Sequence, residues 1–345
     1  IGKNRTLYQT HQANGSDMGG TKVNDGFVTF LKSILGNQMV ERFKQVSPIG
    51  WLQLMCEFDM KKKGIKNIPD ERLSIQLPQI MHEVHEEITG RKLKDVINAK
   101  QKDGVIYTHC LVISHSVILE LFDKAVRGIV DHMAEVMKSP NLAKVTHIIM
   151  VGGFSESSIL QAEVKKRFEK LNIRVVIPED AGLCILKGGV TYGHEPKAIQ
   201  SRISRVTYGR RIAEEYDPEL HGPDKRRVQV GDGVEYQDRV FDTIVKKGES
   251  IKIGEVKSFT SLPVSKDQRV IGNELYYTEQ DDAEYTDNPG VHLVGKWEAP
   301  LEGEGLDRKM EHRIFFGETE LLWQSRQKGT TDWVEASFGF QSSNE

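Results

Sequence analysis

The chain has 345 residues, 38% apolar and 28% charged, the profile of a soluble globular protein long enough for two or more cores. Its 47 basic and 50 acidic residues leave a net charge of −3, which gives no electrostatic footprint for nucleic acid or an anionic membrane. No apolar run approaches the roughly 20 residues that span a bilayer, and IGKNRTLYQT lacks the apolar centre of a signal peptide, so a cytoplasmic location is the default. The sequence opens at Ile1 without an initiator methionine and is read as a fragment or a processed product. Cys56, Cys110 and Cys184 stand far apart in apolar segments and are expected to be buried free thiols in a reducing compartment.

The first glycine pair lies in DMGGTKVND, residues 17–25. A kinase-type phosphate loop of that wording needs an apolar strand running into the aspartate, but Asn14, Gly15 and Ser16 precede Asp17. Phe27, Phe30, Leu31 and Ile34 then fall at helical spacing. Gly19 and Gly20 are therefore expected in a ligand-facing turn that opens a helix. In SPIGWLQLMCEFDMKKKG, Ser47 suits an N-cap, Pro48 the first helical position and Gly64 the stop. Lys61, Lys62 and Lys63 favour the negative end of that helix, with phosphate binding as the alternative. HEVHEE, residues 82–87, spaces His82 and His85 three apart rather than the four a zinc-protease helix needs, and is expected to be a solvated helix face. A long helix is predicted from Ser116 to Lys138, with Val117, Leu121, Phe122, Val126, Ile129, Val130 and Met133 on one wide buried face.

Strand, turn, helix and strand follow: Val145 to Val151, GGFS, SSILQAEVKKRFEK and IRVVIP. EDAGLCILKGGVTYG then resumes a helix, with Leu183, Ile185 and Leu186 expected to face inward. Such alternation predicts a parallel sheet with packed helices. A strand ending in Gly152-Gly153 before a helix lets a ligand approach bare backbone at a positive dipole end, which suits a nucleoside or a phosphate. A tight turn with no ligand is the alternative. IPEDAG, residues 177–182, makes a second bend one helix and one strand later, on the same carboxyl edge where ligands bind parallel sheets, and this favours the ligand reading. Beyond about residue 205 the pattern alternates, as in FDTIVKKG, EVKSFTSLPV, VIGNELYYTE, VHLVGKWEAP, RIFFGETELLWQ and DWVEASFGF, predicting an antiparallel sandwich or barrel. No cysteine pair with zinc spacing, nucleophile elbow or phosphate-loop lysine motif is present, and no nucleophile–base pair is recognisable.

HIIMVGGFSESSILQAEVKKRF, the preceding LELFDKAVRGIVDHMAEVMK, the following IPEDAGLCILKGGVTYG and the upstream GSDMGGTKVNDGF and MCEFDMKKKG occur in an order that resembles the 70-kDa heat-shock proteins of the actin/sugar-kinase superfamily, in a divergent branch. The resemblance implies an α/β plus all-β protein. Residues 1–200 would be lobe II of an actin-like, ribonuclease H-like nucleotide-binding domain, with helical subdomain IIB at about 17–113; residues 201–345 would be a β-sandwich-like substrate-binding domain. It implies ATP or ADP as ligand, with Mg²⁺ held by groups outside this sequence, and an unfolded polypeptide or adaptor as partner. Matched by position, the nucleotide would meet Gly152, Gly153, Phe154, Ser155 and Glu156, the last standing where many members place an adenine-stacking arginine. Glu179 stands where an aspartate is usual, Glu57 matches a ribose-binding glutamate, Lys61 approximates a nearby lysine one residue out of register, and Gly19 and Gly20 match the turn into subdomain IIB. The family's phosphate loops and catalytic groups would lie upstream of Ile1, so no catalytic residue is assigned and hydrolysis by this chain alone is not expected. RISRVTYGRRIAEEYD replaces the family's acidic linker with a segment carrying Arg202, Arg205, Arg210 and Arg211. The resemblance implies a stress-response chaperone. A nucleotide-gated or nucleotide-free interaction scaffold without a chaperone cycle, or a small-molecule kinase of the same superfamily, are the alternatives.

Overall fold

In the computed structural model, residues 6–99, 104–195, 198–221, 227–229, 233–316 and 320–339 are described. The stretches 317–319 within RIFFGETELLWQ and 340–345 at the end of the expected second domain lie outside them. Helix and strand are mixed, and the chain divides into a unit of Gly15–His194 and a unit of Ile1–Asn14 with Glu195–Glu345.

The short strand β1 (Leu7–Tyr8) lies in the second unit although it opens the chain, because it pairs in parallel with β7 (Ile199–Ile203). The helical unit begins with α1 (Gly20–Leu35), α2 (Asn37–Val46) and α3 (Pro48–Lys63). Val23, Phe27, Phe30, Leu31 and Ile34 of α1 are buried at the predicted spacing. The Ser47 side chain accepts a hydrogen bond from the Gly50 N–H, with Pro48 next to it and Gly64 closing the helix, as the sequence foretold. Phe27 and Phe58 stack with centroids 4.0 Å apart, joining α1 to α3.

Strand β2 (Arg72–Ile75), helices α4 (Gln79–Thr89) and α5 (Leu93–Ala99) and strands β3 (Val105–Tyr107) and β4 (Leu111–Ser114) complete the first half. The three strands form an antiparallel sheet in the order β2-β4-β3. The long helix α6 (His115–Val136) buries Val117, Ile118, Leu121, Phe122 and Val126. It crosses α1 closely at Gly26, where a Cβ would lie 2.7 Å from the Leu121 carbonyl oxygen. Strands β5 (His147–Ile149) and β6 (Arg174–Val176) pair in parallel around α7 (Ser158–Phe168), and α8 (Cys184–His194) follows.

Three expectations fail in this unit. Leu183, Ile185 and Leu186 are exposed, because β5 and β6 alone offer too narrow a sheet for α8 to cover and no α8 residue is buried. His85 is fully buried rather than solvated, since α4 turns that face inward and the ring Nδ1 meets the Arg91 carbonyl at 3.1 Å. Of the cysteines, Cys110 is buried but Cys56 is exposed and Cys184 only half-buried.

In the second unit β8 (Thr207–Glu215), β9 (Arg227–Gln229), β10 (Glu235–Val245), β13 (Val270–Thr278) and β14 (Val291–Pro300) form an antiparallel sheet ordered β14-β13-β8-β10-β9. A second antiparallel sheet runs β12 (Glu255–Ser261), β15 (Met310–Phe316), β16 (Glu320–Gln327) and β17 (Val334–Gly339). Strand β11 (Ser250–Lys252) joins β7 and β1. Tyr208, Val245 and Leu275 of the first sheet share one apolar cluster with Ile314, Phe316, Leu321 and Trp323 of the second. The arginine-bearing segment is not a linker but strands β7 and β8, where Arg210 and Arg211 pair with carboxylates on neighbouring strands.

Candidate functional site

The two bends meet. Strands β5 and β6 end on the same edge, and the Gly152 N–H donates to the Ala181 carbonyl at 2.8 Å. Gly152 takes φ +91, a conformation few side chains tolerate, and Gly153 to Glu156 form a single 3₁₀ turn. The Ser155 hydroxyl donates back to the Gly152 carbonyl, and the Ser155 carbonyl accepts from Gln161 Nε2, so Ser155 is a buried brace of the turn. Glu156 accepts the Gly182 N–H on Oε1 at 3.0 Å, binding one bend to the other. The fit is close: a Cβ on Gly182 would lie 2.4 Å from that oxygen.

A cavity of about 270 Å³ opens beside the first bend, lined by Gly153, Phe154, Glu156 and Ser157 on one side. Gly20 and Thr21 at the start of α1, Phe122 of α6 and Asp59, Lys62 and Lys63 of α3 complete it. Phe154 and Phe122 stack at 6.3 Å, giving an aromatic wall. The α1 N-terminus carries no side-chain cap, so its end is open to an acceptor.

The phase of α3 decides which of its side chains reach the cavity. Leu54, Phe58 and Lys62, spaced four apart, form its buried stripe. Lys62 is 7% exposed, and its ammonium donates to the Gly20 carbonyl (2.7 Å) and Asn24 Oδ1 (2.5 Å) and pairs with Asp59 (2.6 Å). A buried ammonium needs such a full set of partners. The Lys62 hydrogen bond in turn holds the Asp59 carboxyl below the usual carboxylate range. Lys63 is 64% exposed and lies 3.6 Å from Asp59, a cation left at the cavity mouth.

Of the residues expected at the site, Gly20, Gly153, Phe154 and Glu156 line the cavity, while Gly152 and Ser155 build the turn behind it. Gly19 caps α1 next to it. Glu57 and Lys61 are not among the lining residues: they pair with each other at 2.7 Å, and both are tied to the β2 end through Gln76 N–H and the Ser74 carbonyl. Glu179 is exposed on the second bend and does not line the cavity either. Its neighbour Asp180 pairs with Lys187, whose hydrogen bond lowers the Asp180 carboxyl. Asp59 is not among the expected residues, and Lys62 and Lys63 enter only through the phosphate-binding alternative for Lys61 to Lys63, because the resemblance fixes the helix register on Glu57 and Lys61. The Leu54–Phe58–Lys62 periodicity carried the signal that corrects it. Among the described residues no group of three or more His, Cys, Asp or Glu is placed to hold a metal ion, and no helix is long and apolar enough to cross a membrane.

The β-rich unit has its own cavity of about 650 Å³, between β8, β10 and β13 and the segments that follow β12 and β14. Its apolar lining includes Leu262, Pro263, Val264, Leu306 and the edge of Trp323; its polar lining includes Arg210, Arg211, Ser261, Asn273, Glu274 and Lys309. Arg308, 7% exposed, ties the two segments together. Its five N–H groups reach the carbonyls of Ser265, Lys266 and Gln268 on one side and Gly303 and Gly305 on the other, at 2.7–3.3 Å.

No family model matches the chain. Its curated homologues are of the 70-kDa heat-shock class, in the divergent branch that the motifs resemble. Heat shock 70 kDa protein 12A of Mus musculus is 29% identical over 341 residues, covering 97% of this chain and 50% of the relative. Heat shock 70 kDa protein 12A of Homo sapiens is 28% identical over the same length, and heat shock 70 kDa protein 12B of Homo sapiens is 29% identical over 349 residues. The chain spans about half the length of these relatives.

Proposed function

We propose that the helical unit is lobe II, with subdomain IIB, of an actin-like nucleotide-binding domain, and that the cavity beside Gly153 takes the adenosine end of ATP or ADP. The observation that carries this is the adjacency of the two bends and the cavity next to them, facing the open end of α1. The lining fits the ligand. Phe154 and Phe122 offer a stacking wall, Glu156 keeps one carboxylate oxygen beyond the bond to Gly182, and bare backbone at Gly153 allows close approach. Lys63 at the mouth suits a phosphate chain. Bound nucleotide would bring its own Mg²⁺, and no ligand for that ion is assigned in this chain. In this reading the phosphate-handling groups of the whole protein lie outside the sequence, and hydrolysis by this chain is not part of the proposal.

The β-rich unit is read as a sandwich-like domain that holds an extended polypeptide in its cavity, which gives the whole a chaperone-like role in the cytoplasm. Titrating a fluorescent ATP analogue into the 345-residue chain tests the nucleotide half. Saturable binding is expected, lost in Gly153→Val: nothing lies within 4 Å of a Cβ there, so the valine fills the ligand's space without disturbing the fold. If wild type and variant are equally blind to nucleotide, the interaction-scaffold reading replaces this one. Among the described residues nothing favours the small-molecule-kinase alternative.

A further inference from the structure

The cavity of the β-rich unit is backed by a buried chain of hydrogen bonds with a fixed direction. Strand pairing sets Phe259, His312 and Ser325 side by side across β12, β15 and β16. His312 is 2% exposed and Ser325 fully buried. The imidazole stacks on Phe259 at 5.0 Å, with the Arg210 guanidinium 3.8 Å from the centroid of that ring. Its Nε2 lies 2.7 Å from Ser261 Oγ, and its Nδ1 lies 2.5 Å from Ser325 Oγ and 3.4 Å from Trp323 Nε1.

The tautomer follows from Trp323. An indole nitrogen can only donate, and this one is buried, so an accepting Nδ1 gives it a partner at 3.4 Å and takes the nearer Ser325 hydroxyl as a second donor, whereas a protonated Nδ1 would leave the indole N–H without one. An accepting Nδ1 puts the proton on Nε2. His312 therefore donates to Ser261, and the Ser261 hydroxyl, whose oxygen is already used, turns its own hydrogen elsewhere. Ser261 is half-buried and lines the cavity, and its hydroxyl makes no other hydrogen bond among the described residues. The direction opposes that of a catalytic serine–histidine pair, in which the ring takes the serine proton. Ser261 is thus a fixed donor rather than a nucleophile.

Among the charged groups of the lining one cation is left open. Arg210 and Arg211 are held by Asp242, Asp238 and Glu274, whereas Lys309 is exposed and has no acidic partner among the described residues. Leu262, Val264 and Leu306 flank these donors with apolar surface.

We propose that this cavity takes an extended polypeptide segment bearing an aspartate or glutamate, whose carboxylate accepts from the Ser261 hydroxyl and pairs with Lys309 between apolar neighbours. The proposal rests on the reading that the β-rich unit binds polypeptide. His312 acts as a positioning residue that fixes the direction of the Ser261 donor.

The test uses the 345-residue chain and three fluorescein-labelled nonapeptides, alike except for Asp, Asn or Lys at the central position between leucines. The Asp peptide is expected to bind about tenfold more tightly than the Asn peptide, the size of one charge-assisted contact, and the Lys peptide most weakly. Ser261→Ala should remove most of that margin and Lys309→Glu should reverse it, with the melting temperature of each variant confirming the fold. His312→Gln, which can keep an N–H toward Ser261, should retain more of the Asp preference than His312→Phe. Equal binding of all three peptides, or an undiminished Asp preference in Ser261→Ala, overturns this proposal and leaves the polypeptide reading standing. Failure to bind any of the peptides removes both.

Discussion

Each unit buries a basic side chain at its cavity, and the two are accommodated in opposite ways. Lys62 meets a carboxylate, an amide oxygen and a backbone carbonyl, all contributed by α1 and α3. His312 meets two hydroxyls, an indole and the face of a phenyl ring, with a guanidinium beyond, and burial chiefly, with Arg210 adding to it, pushes its pKa down to about 4. A partner set that includes an anion favours a buried cation, and a set without one favours the neutral form. The same contrast runs through the cavities. The helical one is shaped by backbone and a local ion cluster, the β-rich one by side chains brought together across strands.

Acid should separate the units most strongly. The folded pKa of His312 lies below its unfolded value, so the stability it contributes is complete above about pH 6.5 and is lost as pH falls toward 4. A loss of about 3 kcal/mol is expected over that window, read from denaturant melts followed by Trp fluorescence. A His312→Gln chain whose stability falls just as steeply would place the acid sensitivity elsewhere. Next in size is Lys62→Ala, which strands the Asn24 Oδ1 and the Gly20 carbonyl. It should cost about 2 kcal/mol and weaken nucleotide binding by displacing Gly20. Equal affinity in the variant would separate the ion cluster from the cavity. The smallest effect belongs to Lys61→Ala on the neighbouring face of α3, where a half-exposed i,i+4 pair is worth less than about 0.5 kcal/mol. Nucleotide affinity there should be unchanged; a tenfold loss would restore Lys61 to the site.

Local patterns made most of the helical unit legible. The apolar stripe of α1, the Ser47-Pro48 start of α3 and the strand–glycine–helix wording at 147–168 are each set by neighbours a few residues away. The face that α3 turns to the cavity was legible too, in the four-residue spacing that ends in Lys62, but resemblance to a distant pattern placed the helix on Glu57 and Lys61 instead. Leu183, Ile185 and Leu186 have the spacing of a buried face and are exposed, because periodicity records an apolar side and not whether anything covers it. The relation of Ser261, His312, Ser325 and Trp323 had no local trace. It exists only once β12, β15 and β16 take their register, with Ser261 and His312 more than 50 residues apart in sequence.

Arg308 has spent every N–H it possesses on the main chain of two segments that border the β-rich cavity. A side chain so saturated has nothing to offer a guest; it serves as a rivet. Parting those segments would strip carbonyls from one guanidinium on both sides together, so that rim of the cavity should yield all at once or not at all.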